Sequence, residues 1–330
     1  MLKYILKRLG LSVVILLGVS LILYVLIRCM PGSFIDDKIA AMNQGGAIVS
    51  EETVQAMKAM YGLEDDSFLG ILKGYGKWLL SILSFDFGTS FKYGIPVVQL
   101  IRDNMGVSFA IAAIATVFEF LIAIPLGITA ATHQYSLRDY IVTVLVMIGI
   151  SLPSFFLARL LQNVFSAQLG WLPSSGLTDA TISPTFGGMM LDYARHLILP
   201  ILTVVILSIG GRMRMTRTNM LEVMNSDYIR TARAKGLKER TVIYKHAFRN
   251  TMIPLVTTLA GLLPSLFSGA IITEQVFDLP GIGNKAFAAM ISGDIPVIMG
   301  YNMFLALLSV IGVLLADLMY AVVDPRVKLS

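Results

Sequence analysis

The side chains best placed for chemistry in this 330-residue chain are a run of cations and three carboxylates. Between Arg212 and Arg249 stand ten Lys/Arg against three Asp/Glu, with an uncharged apolar run on either side, Leu197 to Gly211 and Thr251 to Thr273. That composition reads as a basic loop between two membrane spans. Inside it, Tyr228-Ile229-Arg230-Thr231-Ala232-Arg233-Ala234-Lys235-Gly236-Leu237 has the pattern of a short helix. Ser226 or Asp227 is placed to cap its start, and Gly236 to end it in the left-handed conformation. Glu119 interrupts another apolar run, where a charge is costly in hydrocarbon and faces the bundle or a wet cavity. It either lines a substrate route, meeting an amino group or a cation, or is a structural carboxylate bonded to neighbouring backbone and hydroxyls. Glu274 and Asp278 set two more carboxylates beside a helix break at Pro280-Gly281, at the mouth of a membrane span.

Bond-making chemistry is not visible in these groups. No G-x-x-x-x-G-K-[ST] phosphate loop is present, so the chain shows no means of holding ATP. No H-E-x-x-H is present, and His133, His196 and His246 stand far apart without neighbouring ligands. Gly293-Asp294 lacks the upstream Gly of an intramembrane aspartyl protease, and Ser174-Ser175-Gly176 the first Gly of a G-x-S-G serine site. The sequence therefore predicts a protein that is not an enzyme, with no metal or cofactor of its own. Cys29, the single cysteine, can form no internal disulfide.

The elements that must position these groups follow from composition. With 56% apolar and 14% charged residues the chain lies far from the soluble norm of roughly 25% charged, and is all-α and polytopic. Apolar stretches of spanning length run from Leu9 to Ile27, Gly106 to Ala131, Tyr140 to Phe165, Leu197 to Gly211 with its flanks, Thr251 to Thr273 and Ile295 to Ala316. Six helices put both termini on one side. Lys3, Lys7 and Arg8, together with the Arg212 to Arg249 loop, make that side cytoplasmic. Cys29 to Met105 carries six basic and nine acidic residues and belongs outside. No small-x-small cleavage site follows the first apolar run, which reads as a retained anchor rather than a signal peptide. The chain thus divides into an N-terminal tail and first span (1–28), an outer segment (29–105) and a core of five spans (106–330). The core carries a cytoplasmic loop over 212–250 and an outer loop over 274–294. In the outer segment, Glu51 to Tyr61 and Phe68 to Leu83 read as interfacial helices. The second places Phe68, Leu72, Tyr75, Leu79 and Ile82 on one face with Trp78 beside them. The net charge of +5 is a topological asymmetry, which leaves no nucleic-acid partner to explain.

The segment from Arg230 to Leu237 resembles the coupling loop of ABC-importer permeases, though His246-Ala247-Phe248-Arg249, ahead of Asn250, stands where that pattern has Ile-x-Leu-Pro. Gly236 takes that pattern's Gly and Ala232 its second Ala, while Arg230 and Thr231 stand where Glu and the first Ala would be. The wording is similar to the B-type permease subunit of the dipeptide, oligopeptide and nickel importers. Pro31-Gly32, Tyr61-Gly62-Leu63, Asp86-Phe87-Gly88-Thr89-Ser90 and Pro96-Val97 resemble landmarks of its outer segment, and Ser33 departs from a frequent Asp. Glu274 to Gly283, with Ala289 and Asp294-Ile295-Pro296, resembles its outer loop.

The resemblance implies a permease subunit in a bacterial plasma membrane, working by alternating access. It implies a homologous second permease, two cytoplasmic ATP-binding cassette ATPases that hold ATP and Mg, and an outer solute-binding protein. Tyr228, Arg230, Thr231, Ala232, Arg233, Lys235, Gly236 and Leu237 would meet an ATPase. Glu119, Glu274, Phe277, Asp278, Pro280 and Gly281 would belong to the translocation path or an outer gate. The cargo implied is a peptide; a nickel or metal chelate is the alternative within the family. A stand-alone secondary transporter, with Glu119 as its coupling carboxylate, is the alternative outside it.

Overall fold

Long helices form over the apolar runs of this chain, two of them passing through a proline, Pro125 and Pro200. A computed structural model describes residues 2–29, 55, 67–179 and 185–323, and among them the chain is helical apart from connections and one isolated bridge, Thr89 to Pro96. Helix α1 is Leu2–Arg28, α2 Phe68–Leu83, α3 Val97–Thr132, α4 Leu137–Ser151 and α5 Ser154–Gln168. There follow α6, Phe186–Met224, and α7, Asp227–Ala234. Helix α8 covers residues 239–257 and widens into a π-helical stretch over Val242–Ala247. A 3-10 turn, Thr258–Gly261, leads to α9 (Leu262–Ser268), α10 (Ile271–Val276), α11 (Ile282–Ser292) and α12 (Ile295–Val323). The expected helix over Glu51 to Tyr61, the landmarks Pro31-Gly32 and Tyr61-Gly62-Leu63, and Ser33 lie outside the described residues, save Gln55.

Among the described residues, four helical stretches are long and apolar enough to span a membrane: Lys7–Leu26, Val97–Thr132, Phe186–Met224 and Ile295–Asp317. The pair α4 and α5 makes a fifth if taken as one bent span. Two of the expected six therefore differ from single straight helices. The stretch Tyr140 to Phe165 bends by 101° between α4 and α5. Pro153 is the cause: it donates no N–H and holds Leu152 extended, at ψ 132°. The stretch Thr251 to Thr273 is cut by the 3-10 turn and again at Gly269, where φ is 74° and ψ 150°. A third difference concerns the basic loop. Its first part is helix, because Arg212 to Met224 contains no Gly or Pro and α6 simply continues through it.

Helices α3 and α6 run side by side in the same direction and form the spine. Lipid is as apolar as leucine, so spans gain little from hydrophobic burial against each other and depend on close approach and polar clips. Close approach is bought by small residues. A Cβ added at Gly127 on α3 would stand 2.7 Å from Thr216 Cβ and 2.8 Å from the Met213 carbonyl of α6. One added at Gly210 would collide with Ile150 of α4. Helix α2 lies against the C-terminal half of α1, with Tyr24, Tyr75 and Trp78 in one aromatic cluster and Tyr75 Oη 2.9 Å from Ser20 Oγ. Its buried face is Gly70, Gly74 and Trp78, whereas Phe68 and Leu72 of the expected stripe are exposed. Gly70 and Gly74 are buried on this helix while its bulky Phe68, Leu69 and Leu72 turn outward.

Candidate functional site

Two groups of candidate residues sit at opposite ends of α3, with Glu119 between them. At the basic end, α7 is amphipathic in only eight residues, and each face has a separate task. Its inner face is Ile229, fully buried, and Ala232, also buried. They pack with Ile128 and Ala131 at the end of α3, Met220 on α6, and Val242 and Ala247 on α8. Full burial of an isoleucine from water is worth about 1.5–3 kcal/mol, so this end of the molecule, unlike the spans, is fixed by the hydrophobic effect. Thr251 Oγ1 adds a 3.0 Å bond to the Ala247 carbonyl and a 3.2 Å contact to Met220 Sδ.

The outer face of α7 presents Tyr228, Arg230, Thr231 and Arg233, followed by Lys235, Gly236 and Leu237, all exposed. Ala232 thus differs from its neighbours in the sequence-derived set: it faces inward, with the helix period that brings it under Ile229 as the reason. Gly236 has φ 73°. Its N–H donates to the Arg233 carbonyl at 2.9 Å and the Leu237 N–H to the Ala232 carbonyl at 3.4 Å, the paired closure of a Schellman motif. Ser226 precedes α7, but its Oγ donates to the Val223 carbonyl instead of capping. The exit strand is then clipped: Arg233 donates through Nε and Nη2 to Glu239 at 3.2 and 2.7 Å. That hydrogen bond, more than the opposing burial, holds the Glu239 carboxyl below its usual range.

At the acidic end, Glu274 on α10 has no solvent exposure. Its carboxylate accepts from Ser108 Oγ of α3 at 2.6 Å, from the Asn284 N–H at 2.9 Å and from the Ala270 N–H at 3.2 Å. Ser108 Oγ in turn accepts from the Ile282 N–H at 2.9 Å. Glu274 therefore does not stand exposed at the mouth of a span, because three hydrogen-bond donors and surrounding glycines enclose it. A Cβ at Gly281 would run into that carboxylate, and one at Gly283 would come within 2.9 Å of it. Phe277 is buried with Ile111, Leu157, Leu161, Leu199 and Leu279. Asp278, at φ 49°, and Pro280 stay exposed. Gln162 of α5 donates to the carbonyls of Ser174 and Val276, at 2.6 and 3.0 Å, and ties the bent pair to this loop. Arg159, on the preceding turn, donates to Gln162 Oε1 at 3.1 Å.

Asp294, at the start of α12, is buried and accepts from Ser90 Oγ at 2.6 Å and the Lys92 N–H at 3.1 Å. Two short stretches singled out in the sequence, Asp86 to Ser90 and Asp294 to Pro296, thus meet across some 200 residues through one carboxylate. Between the two ends, Glu119 Oε1 accepts from Arg212 Nε at 2.9 Å, and the guanidinium lies 4.6 Å over the Phe120 ring. Its partner is an arginine rather than backbone and hydroxyls. A second clip, missed in the sequence, joins Arg217 of α6 to both oxygens of Asp139 on α4 at 3.1 and 2.9 Å. Its signal was present as Ser136-x-x-Asp139 at a helix start, with no indication of which of ten cations would answer.

Residues 123–329 match the family described as binding-protein-dependent transport system inner membrane component. The chain is 36% identical over 333 residues to the oligopeptide transport system permease protein AppB of Bacillus subtilis (strain 168), across 99% of this chain and 100% of that one. It is 32% identical over 343 residues to the dipeptide transport system permease protein DppB of Alkalihalophilus pseudofirmus, across 99% and 100%. Among solved structures, a chain from the inward-facing conformations of the MetNI methionine ABC transporter aligns with TM-score 0.54 at 17% identity, over 68% of this chain and 97% of that one. That likeness is one of fold. The packed spans, the sealed loop at one end and the basic surface helix at the other are therefore those of a known kind of protein: the chain belongs to the family of binding-protein-dependent transport system inner membrane components and is a multi-pass permease subunit.

Proposed function

We propose that this permease carries peptides inward as one of two homologous membrane subunits of an ATP-binding cassette importer. Cytoplasmic ATPases drive it, and an outer solute-binding protein loads it. The cargo assignment is supported by the full-length likeness to relatives named for oligopeptide and dipeptide transport. Peptide reading is favoured over metal chelates on that ground alone. The coupling assignment is supported by the two faces of α7: Ile229 and Ala232 bind it to α3, α6 and α8, while Tyr228, Arg230 and Thr231 are exposed on the side a partner would meet. A push on the outer face then moves three helices together. Asp278 and Pro280, exposed beside the sealed Glu274, are outer-loop residues open to the binding protein or the cargo.

Six crossings with cytoplasmic termini are supported by the loop charges and by Arg8 Nε lying 3.1 Å from Asp317 Oδ2, which sets the beginning of α1 beside the far end of α12. Glu119 in a pair with Arg212 is a poor coupling carboxylate for a secondary transporter, since its charge is already answered. Co-purification with an ATPase pair, followed by uptake of peptides of graded length into vesicles holding the complete transporter, tests the whole reading. Uptake of nickel chelates but not peptides moves the cargo to the alternative, and ATP-independent uptake removes the importer assignment.

A further inference from the structure

Helices α1 and α2 touch the rest of the bundle at few places. The Arg8 to Asp317 pair pins α1 to α12 at one level, and the Ser20, Tyr24, Tyr75 and Trp78 cluster pins α2 to α1 at another. Between them and the α3 to α12 side lies a cleft of about 490 Å³. Its walls include Leu17, Ile82, Phe87, Ile101, Met303 and Phe304, with Ser20 and Arg102 as the polar residues. Ser20 Oγ is committed to the Leu17 carbonyl at 2.8 Å and to Tyr75 Oη, so it offers little to a water molecule. Buried water needs two to four polar partners, and this cleft does not supply them. An apolar void left empty forfeits dispersion contacts along its whole lining. In a bilayer the fluid at hand to fill it is acyl chain.

Arg102 fixes the polar end. It stands one helical turn before Gly106, where the apolar run of α3 begins, and its side chain is 75% exposed with a long 3.7 Å contact to Asp103. A guanidinium at the rim of an apolar cleft matches the phosphate of a lipid whose chain lies in the cleft. We propose that this cleft is a phospholipid site, one acyl chain spacing α1 and α2 from α3 and α12 while Arg102 holds the headgroup phosphate. The inference rests on the membrane-spanning reading only and is measured without transport, so its failure leaves the importer reading standing.

Native mass spectrometry of the complete transporter, released from detergent after equilibration with phosphatidylglycerol or with diacylglycerol, tests it. One phosphatidylglycerol is expected to survive per copy of this chain, with diacylglycerol retained less. Filling the cleft with Leu17→Phe and Met303→Trp should remove that lipid while the complex keeps its subunits. Arg102→Ala should lower phosphatidylglycerol retention roughly fivefold to tenfold and leave diacylglycerol unchanged, a loss the size of one exposed charge-assisted contact. Equal retention in the filled variant means surface lipid only and overturns the site. Indifference of both lipids to Arg102→Ala overturns the phosphate contact. A photoreactive residue at Leu83 should label lipid; an adduct to residues 30–66 or to a second permease gives the cleft another occupant and overturns the proposal.

Discussion

Gly236 is the residue whose replacement speaks most directly to function. At φ 73° a β-branched side chain costs about 1–2 kcal/mol locally, and the closure of α7 by the Gly236 and Leu237 N–H groups is lost with it. The burial of Ile229 is untouched, so Gly236→Val should leave the protein in the membrane yet re-aim the segment after α7. The expected outcome is weakened ATPase association, or hydrolysis uncoupled from uptake. Normal substrate-stimulated ATPase activity together with normal uptake would remove α7 from coupling. Ala232→Glu probes something else, because Ala232 packs among Ile128 and Met220 of its own chain. A carboxylate there should lower the melting temperature of the solubilised protein, whereas Thr231→Glu, on the exposed face, should leave stability alone and still impair ATPase binding. The outer loop divides in the same way. Glu274→Gln presents an amide N–H₂ to a site that supplies donors, and should cost about 1–3 kcal/mol in stability through the unmet Asn284 or Ala270 N–H. Asp278→Asn should keep wild-type stability and alter uptake, and a stability loss at Asp278 would contradict its exposed placement.

Helices carry the parts of this architecture that the sequence made legible and the parts it hid. The long apolar runs, the Gly-ended helix at Tyr228 to Lys235 and the break at Pro280-Gly281 are local patterns, each fixed by periodicity or by one backbone constraint. Pro153 was equally legible, yet a run of apolar length outweighed it and the bend at α4 and α5 was smoothed over. What local pattern does not contain is partnership across the fold. Basic residues from Arg212 onward look alike in a row; only the crossing of α6 with α3 and α4 assigns Arg212 to Glu119 and Arg217 to Asp139. Glu274 likewise reads only as a carboxylate at the mouth of a span until α3 brings Ser108 to it. The α4 to α6 clip makes a clear prediction: Arg217→Ala should destabilise by about 1–3 kcal/mol by leaving the Asp139 carboxylate, 4% exposed, short of donors. Asp139→Asn in that background should recover part of the loss, and additive losses in a double-mutant cycle of melting temperatures would show the pair to be uncoupled. The Arg233 to Glu239 clip is weaker, being exposed and screened. Glu239 ionises below its usual range in the folded chain, so its contribution is present above about pH 4.3 and is lost as pH falls through the lowered value. A spin label at Lys238 should therefore gain mobility under acid, and Glu239→Gln should show that mobility at every pH.

The proposed importer function makes the whole molecule a transmission between two ends. Ser108 and Ile128 mark where α3 meets the sealed loop and the α7 cluster, and twenty residues of helix at 1.5 Å each separate them by about 30 Å, the thickness of the hydrocarbon core. On the proposed reading, the continuous α3 of 36 residues, clipped to α6 at Glu119 and packed closely on it at Gly127, carries displacement from one end to the other. This scheme requires the two ends to face different compartments, which a labelling experiment decides. In a Cys29→Ser background, a single cysteine at Lys285, on α11 beside the Tyr93 ring, should react in intact cells with an impermeant thiol reagent. One at Lys238, exposed just beyond Gly236, should react only after the membrane is opened. With both Arg8 and Asp317 replaced by cysteine in the same background, a short bis-maleimide should crosslink the beginning of α1 to the end of α12, because their side chains meet at 3.1 Å and so lie on one face. Labelling of Lys238→Cys from outside would turn the molecule over and place α7 beyond the reach of any ATPase, ending the coupling model however well the fold matches.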